Sequence, residues 1–148
     1  MGQPLRFFFY GTLLDGGDNP VAQEVHRLLE PGSPASVRGA LHALPDAAGW
    51  FPALVAGEGE VFGRVYTARP QFTGADLARL DAYEDFDPVR PATSLYLRRE
   101  VALTGGGAAQ AYLFNQPLPP GSRPIRSGDF RSWLRETGLA PFTGLREA

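Results

Sequence analysis

The stretch Ser94–Phe114, SLYLRREVALTGGGAAQAYLF, decides the fold class of this chain. Two runs rich in apolar and aromatic residues, Ser94–Leu103 and Ala108–Phe114, flank Gly105–Gly107. Glycines supply the backbone freedom that a reversal needs, so the two runs read as the arms of a β-hairpin. A hairpin here breaks the steady strand–helix alternation of a doubly wound parallel sheet and points to an α+β arrangement.

The segments around the hairpin fit that reading. Leu5–Tyr10 (LRFFFY) is a short apolar run expected as a central strand, ending at Gly11. A loop carrying Gly16, Gly17 and two aspartates leads to Asn19, an N-cap with Pro20 at N1 for a helix to about Glu30. Ala35–Leu44 reads as a strand with a bulge or close backbone approach at Gly39. A loop through Pro45, Gly49 and Pro52 is expected to carry Trp50 and Phe51, and Glu60–Thr67 (EVFGRVYT) to form the next strand. Thr73 caps a helix to Glu84, with Asp76 at N3 as a near capping box. Ser127 or Asp129 caps a last helix ending at Gly138. The strands are expected to curl into a small mixed β-barrel or strongly twisted sheet with flanking helices, a single domain over 1–148 with 139–148 as a loose tail.

At 148 residues, 43% hydrophobic and 20% charged, the chain suits a globular domain with a real core. A net charge of −2 provides no field for nucleic acid or anionic lipid. No export signal or apolar stretch of membrane-spanning length is found, so the expected setting is cytoplasmic, with neither nucleic acid nor membrane as partner. All 14 cations are arginine, which excludes a Schiff-base or Walker-type lysine, and the lack of cysteine excludes thiolate and disulfide chemistry. His26 reads as a surface helix residue and His42 as a strand residue satisfied by a neighbour; neither has metal-ligand spacing. No G-x-S-x-G elbow is present.

Two features carry chemistry. Glu84 shares a helical stripe with Leu77 and Leu80, at i, i+3 and i+7, where an unpartnered carboxylate is costly. Its place at a helix C-terminus is expected to raise its pKa, which suits acid–base catalysis. The alternative is a solvated cap followed by Asp85 and Asp87. Tyr10-Gly11-Thr12-Leu13, leaving the first strand, exposes successive N–H groups that can form an anion-binding nest, with Gly11 permitting close approach and unusual dihedrals. The alternative there is an ordinary tight turn.

In order along the chain, FFYGTL (Phe8–Leu13), FPAL (Phe51–Leu54), VFGRVY (Val61–Tyr66), LDAYE (Leu80–Glu84), YLR (Tyr96–Arg98) and SGDF (Ser127–Phe130) resemble the γ-glutamylcyclotransferase-like (AIG2-like) family. The resemblance implies a small mixed barrel with a cavity between the first loop and the Glu-bearing segment. It implies that Tyr10, Gly11, Thr12 and Leu13 hold the γ-glutamyl group, that Glu84 is the general acid/base, and that Tyr96 and Tyr112 line the pocket. The reaction would close a γ-glutamyl amide to 5-oxoproline and release an amine or amino acid. Its nucleophile lies within the small-molecule substrate, so it calls for no cofactor and no metal. Asp85, beside Glu84, is expected to raise the Glu84 pKa further, and Arg64 to pair with an acid or select an anionic substrate. Two other readings remain: a non-catalytic module binding a small ligand in the same pocket, and a structural role in which Glu84 pairs with Arg98.

Overall fold

The computed structural model describes residues 5–14, 16 and 19–142. Asp15, Gly17 and Asp18 of the first loop, and positions 143–148 of the expected tail, lie outside the described residues. Six strands form one curled half-barrel sheet in the order β4-β5-β1-β3-β2-β6. They are β1 Arg6–Phe9, β2 Ser33–Asp46, β3 Gly49–Thr67, β4 Tyr96–Ala102, β5 Ala108–Phe114 and β6 Arg123–Pro124. Helices α1 Pro20–His26, α2 Gly74–Tyr83 and α3 Phe130–Thr137 pack around the sheet. The α+β expectation holds.

β1 lies inside the sheet because its side chains are apolar on both faces. Phe7 and Phe9 enter the core beneath α1 and α2 with Leu80 and Tyr83, whereas Phe8 and Tyr10 enter the opposite core with Phe130 and Trp133 of α3. β1 runs antiparallel to β3 and parallel to β5, pairing Phe7 with Gln110. The hairpin read from the sequence is present as β4 and β5, in register from Tyr96↔Phe114 to Ala102↔Ala108.

β2 and β3 form a longer hairpin whose register breaks between Arg38 and Ala40, opposite Glu60 and Val55. The extra residues of β3 bend the hairpin at the expected Gly39 irregularity. The segment expected as a loop is instead strand: Trp50, Phe51 and Pro52 pair with Pro45, Leu44 and Ala43. Burial overrides the breaker signals here, since Phe51 and Ala53 sit in the core beneath α1 and α2.

α1 stops at His26 rather than near Glu30; single-turn bonds from Leu28 to Val25 and Leu29 to His26 finish it before Pro31. Asp129, not Ser127, is the N-cap of α3, and Gly138 ends it in the left-handed conformation with φ of 72°. The loose tail is corrected over its described part. The amide of Trp50 donates to Ala140 O at 2.9 Å, the amide of Phe142 donates to Trp50 O at 2.7 Å, and the Phe142 ring packs against Phe51 in the core. Among the described residues no helix is long and apolar enough to cross a membrane.

Candidate active site

α2 places its acids by a complete capping box: Thr73 Oγ1 accepts from the Asp76 amide, and the Asp76 carboxylate accepts from the Thr73 amide. The Thr73 amide first, then Arg79 and the Thr73 hydroxyl, hold the exposed Asp76 carboxyl below its ordinary value. With the first turn fixed, the stripe of Leu80, Tyr83 and Glu84 faces the core, and Glu84, the C-cap, is 8% exposed. The solvated-cap alternative therefore fails. Asp85 turns away in a left-handed conformation, φ 55°, and its side chain lies in solvent.

Glu84, Tyr10, Gly11, Thr12, Leu13, Tyr96 and Tyr112 line one cavity, which Phe8, Phe9, Phe51 and Pro52 complete. All seven residues singled out from the sequence thus converge. The cavity is narrow, about 20 Å³, close to the space of a single water. A larger groove of about 350 Å³ lies between α1 and α2. Its wall is mostly apolar, and its charged residues Glu24, Asp76 and Arg79 are bound to one another. The groups capable of proton transfer gather in the smaller cavity.

The first loop is held from several sides. Leu14 N donates to Gly11 O at 3.0 Å, closing a turn. His26 is not a surface residue: its ring sits edge-on against Phe9 and Tyr66, and Nε2 donates to Leu13 O at 2.6 Å. Tyr83 Oη is hydrogen-bonded to Thr12 Oγ1 at 3.2 Å and accepts from Asn19 Nδ2 at 2.6 Å. The amides of Thr12 and Leu13 have no acceptor among the described residues, which leaves two donors at the loop. Gly11 is required for close approach and not for its dihedrals: it is not among the residues of positive φ, and a Cβ there would lie 2.1 Å from Pro52 Cγ. Asn19 Oδ1 also accepts from Val21 N and Ala22 N, so one side chain joins the α1 cap to Tyr83. Asn19→Ala is expected to cost about 1–2 kcal/mol in urea denaturation.

Tyr96 Oη donates to Pro52 O at 2.7 Å, fixing its ring at the cavity wall. Sequence reasoning missed Asp81. It is buried beside Glu84 on α2, bound by Arg98 Nε at 2.9 Å and Tyr112 Oη at 2.7 Å. Its spacing from Glu84, i to i+3, was the signal available. Arg98 thus pairs with Asp81. Arg64 donates through Nη2 to Gly32 O at 2.7 Å and is not among the residues that line this cavity.

Burial first, then the charge and hydrogen bond of Asp81, then the charge of Glu84, push the Tyr112 phenol far above its ordinary 10.0, against the opposing Arg98. The folded state therefore holds this proton more tightly than the unfolded chain. Its contribution to stability is full below pH 10.0 and declines as pH rises beyond that. Urea midpoints at rising alkaline pH should fall, and less steeply in Tyr112→Phe. Among the described residues no group of three or more His, Asp or Glu is placed to hold a metal ion.

The chain belongs to the γ-glutamyl cyclotransferase, AIG2-like family, whose model matches residues 7–132. That membership supports a γ-glutamyl cyclotransferase type of function in general terms and a small-molecule substrate. Solved structures agree on the fold. An AIG2-like protein of Mus musculus is 20% identical with a TM-score of 0.54, covering 81% of this chain and 82% of that one. A protein specific to uropathogenic E. coli is 19% identical with a TM-score of 0.63, covering 93% and 98%. The allophanate hydrolase of Kluyveromyces lactis is 15% identical with a TM-score of 0.67, covering 91% of this chain but 22% of that one. No curated protein matches the chain.

Proposed function

We propose that the protein closes γ-glutamyl amides to 5-oxoproline, with Glu84 as the general acid/base. The observation that carries this reading is the single cavity in which a buried Glu84 lies with the Gly11–Leu13 turn, Tyr96 and Tyr112. The α-amine of the γ-glutamyl group attacks its own γ-carbonyl carbon, forming the lactam C–N bond. Glu84 takes a proton from that nitrogen and delivers it to the leaving nitrogen as the amide C–N bond breaks. The amides of Thr12 and Leu13 supply donors to the developing oxyanion or the substrate carboxylate. The nucleophile and the electrophile share one molecule, so the step gains from high effective molarity. These groups complete a reaction that takes up no water and needs no protein nucleophile.

Mass spectrometry of incubations with γ-glutamyl amino acids and γ-glutamyl amines, γ-glutamyl-lysine among them, tests the reading. The expected result is 5-oxoproline in step with the released amine. A ligand that raises the melting temperature and is recovered intact, with no product from any member of the panel, would replace turnover with binding alone.

A further inference from the structure

We propose that Tyr112 accepts a hydrogen bond from the substrate's reacting α-amine, and that Asp81 is the positioning residue that makes it an acceptor. This inference rests on the γ-glutamyl reading above and specifies how that site selects its substrate.

A phenol has one proton to donate, and Tyr112 donates it to Asp81 Oδ1 at 2.7 Å. Arg98 donates through Nε to the same oxygen at 2.9 Å and through Nη2 to Oδ2 at 3.4 Å, so Asp81 is held as a carboxylate that only accepts. Gln110 Oε1 accepts from Arg98 Nη1 at 3.2 Å and steadies the guanidinium. The hydroxyl of Tyr10 donates to the Tyr112 carbonyl, fixing the backbone of the same residue. What Tyr112 Oη has left to offer is a lone pair.

The charge of Glu84 acts on the Tyr112 phenol, and both residues line the cavity. An ionised Glu84 is likewise an acceptor only. A neutral amine carries two N–H bonds and one lone pair. With one N–H on Glu84 and the other on Tyr112, the lone pair is left to point at the γ-carbonyl carbon. The Thr12 and Leu13 amides supply the opposite polarity at the loop, matching a carboxylate or an oxyanion. The site then discriminates in favour of acyl amides bearing an α-amino group.

The test uses L-glutamine, the simplest γ-glutamyl amide, and glutaramic acid, which lacks only the α-amine. Titration calorimetry of the intact protein should show L-glutamine binding about ten- to hundredfold tighter. Tyr112→Phe should reduce that ratio about tenfold while leaving the affinity for glutaramic acid unchanged. Asp81→Ala should reproduce the loss, because a phenol deprived of its acceptor is free to turn its proton towards the substrate. A purely structural role for Asp81 would weaken both ligands alike. Equal weakening of both ligands, or an unchanged ratio in Tyr112→Phe, overturns the inference. A wild-type ratio near one overturns it without any variant. Release of 5-oxoproline from the γ-glutamyl panel is measured separately: a strong ratio that Tyr112→Phe abolishes, without product, leaves the acceptor in place and removes the turnover.

Discussion

Glu84→Gln should lower 5-oxoproline formation by about 10²–10⁴-fold in a protein that remains folded. The amide keeps the size and shape of the side chain and loses the capacity to take a proton from the substrate amine. Folding should survive, because Glu84 occupies a buried position at which a neutral group carries a smaller desolvation cost. The Arg98–Asp81 ion pair is left in place by the substitution. Single-turnover assays together with a thermal melt read both halves of the expectation. Full turnover in the variant would remove Glu84 from the mechanism, while loss of the folded state would reveal an architectural role instead.

Gly11→Ala should reach the same chemistry by steric means. The added methyl would lie 2.1 Å from Pro52 Cγ and 2.8 Å from Pro52 Cδ, and a pyrrolidine ring built into β3 has no rotamer with which to move aside. The turn must shift, taking the amides of Thr12 and Leu13 with it. Overpacking of this kind costs about 1–3 kcal/mol of stability. A displacement near 1 Å within the site costs about 10²-fold in rate. Pro52→Ala introduced into the Gly11→Ala protein should restore much of both losses, and a double-mutant cycle on urea midpoint and rate measures the coupling. Additive effects would show that the two residues do not meet in the way their geometry requires.

How far the sequence could be read depended on whether one element alone determined each feature. LRFFFY is apolar on both faces, and such a run has few places to go except the inside of a sheet. Thr73 and Asp76 carry their own cap, and the clustered glycines mark the β4–β5 turn, so these elements are local in origin. Glu84 was legible because a carboxylate disturbs the apolar stripe of its helix. Trp50–Pro52 were misread because Gly49 and Pro52 look like breakers. Their strand state comes from pairing with β2 across the turn at Ala47–Ala48 and from the distant Phe142 beneath Phe51. Asp81 was overlooked because its meaning lies in Arg98 and Tyr112, two strands that the sequence does not place beside α2. His26 acquires its role from Leu13 only once α1 folds back across β1. Local chemistry could be read; the polarity of the cavity, which depends on who donates to whom, required the assembled sheet.

The docking of Ala140–Phe142 onto Trp50 makes the fold's completion a late event. Phe51 forms part of the cavity wall, and Phe142 packs against it. On a ribosome, residues 139–142 are the last of the described segment to emerge. A nascent chain that has already produced Gly11, Glu84, Tyr96 and Tyr112 still lacks the ring that backs Phe51. Such distant pairing is also the slow part of folding, since the chain between must be closed before the contact is gained. The cavity would therefore take shape late and all at once, and a truncated translation product would hold its other lining residues without the wall that Phe142 supports.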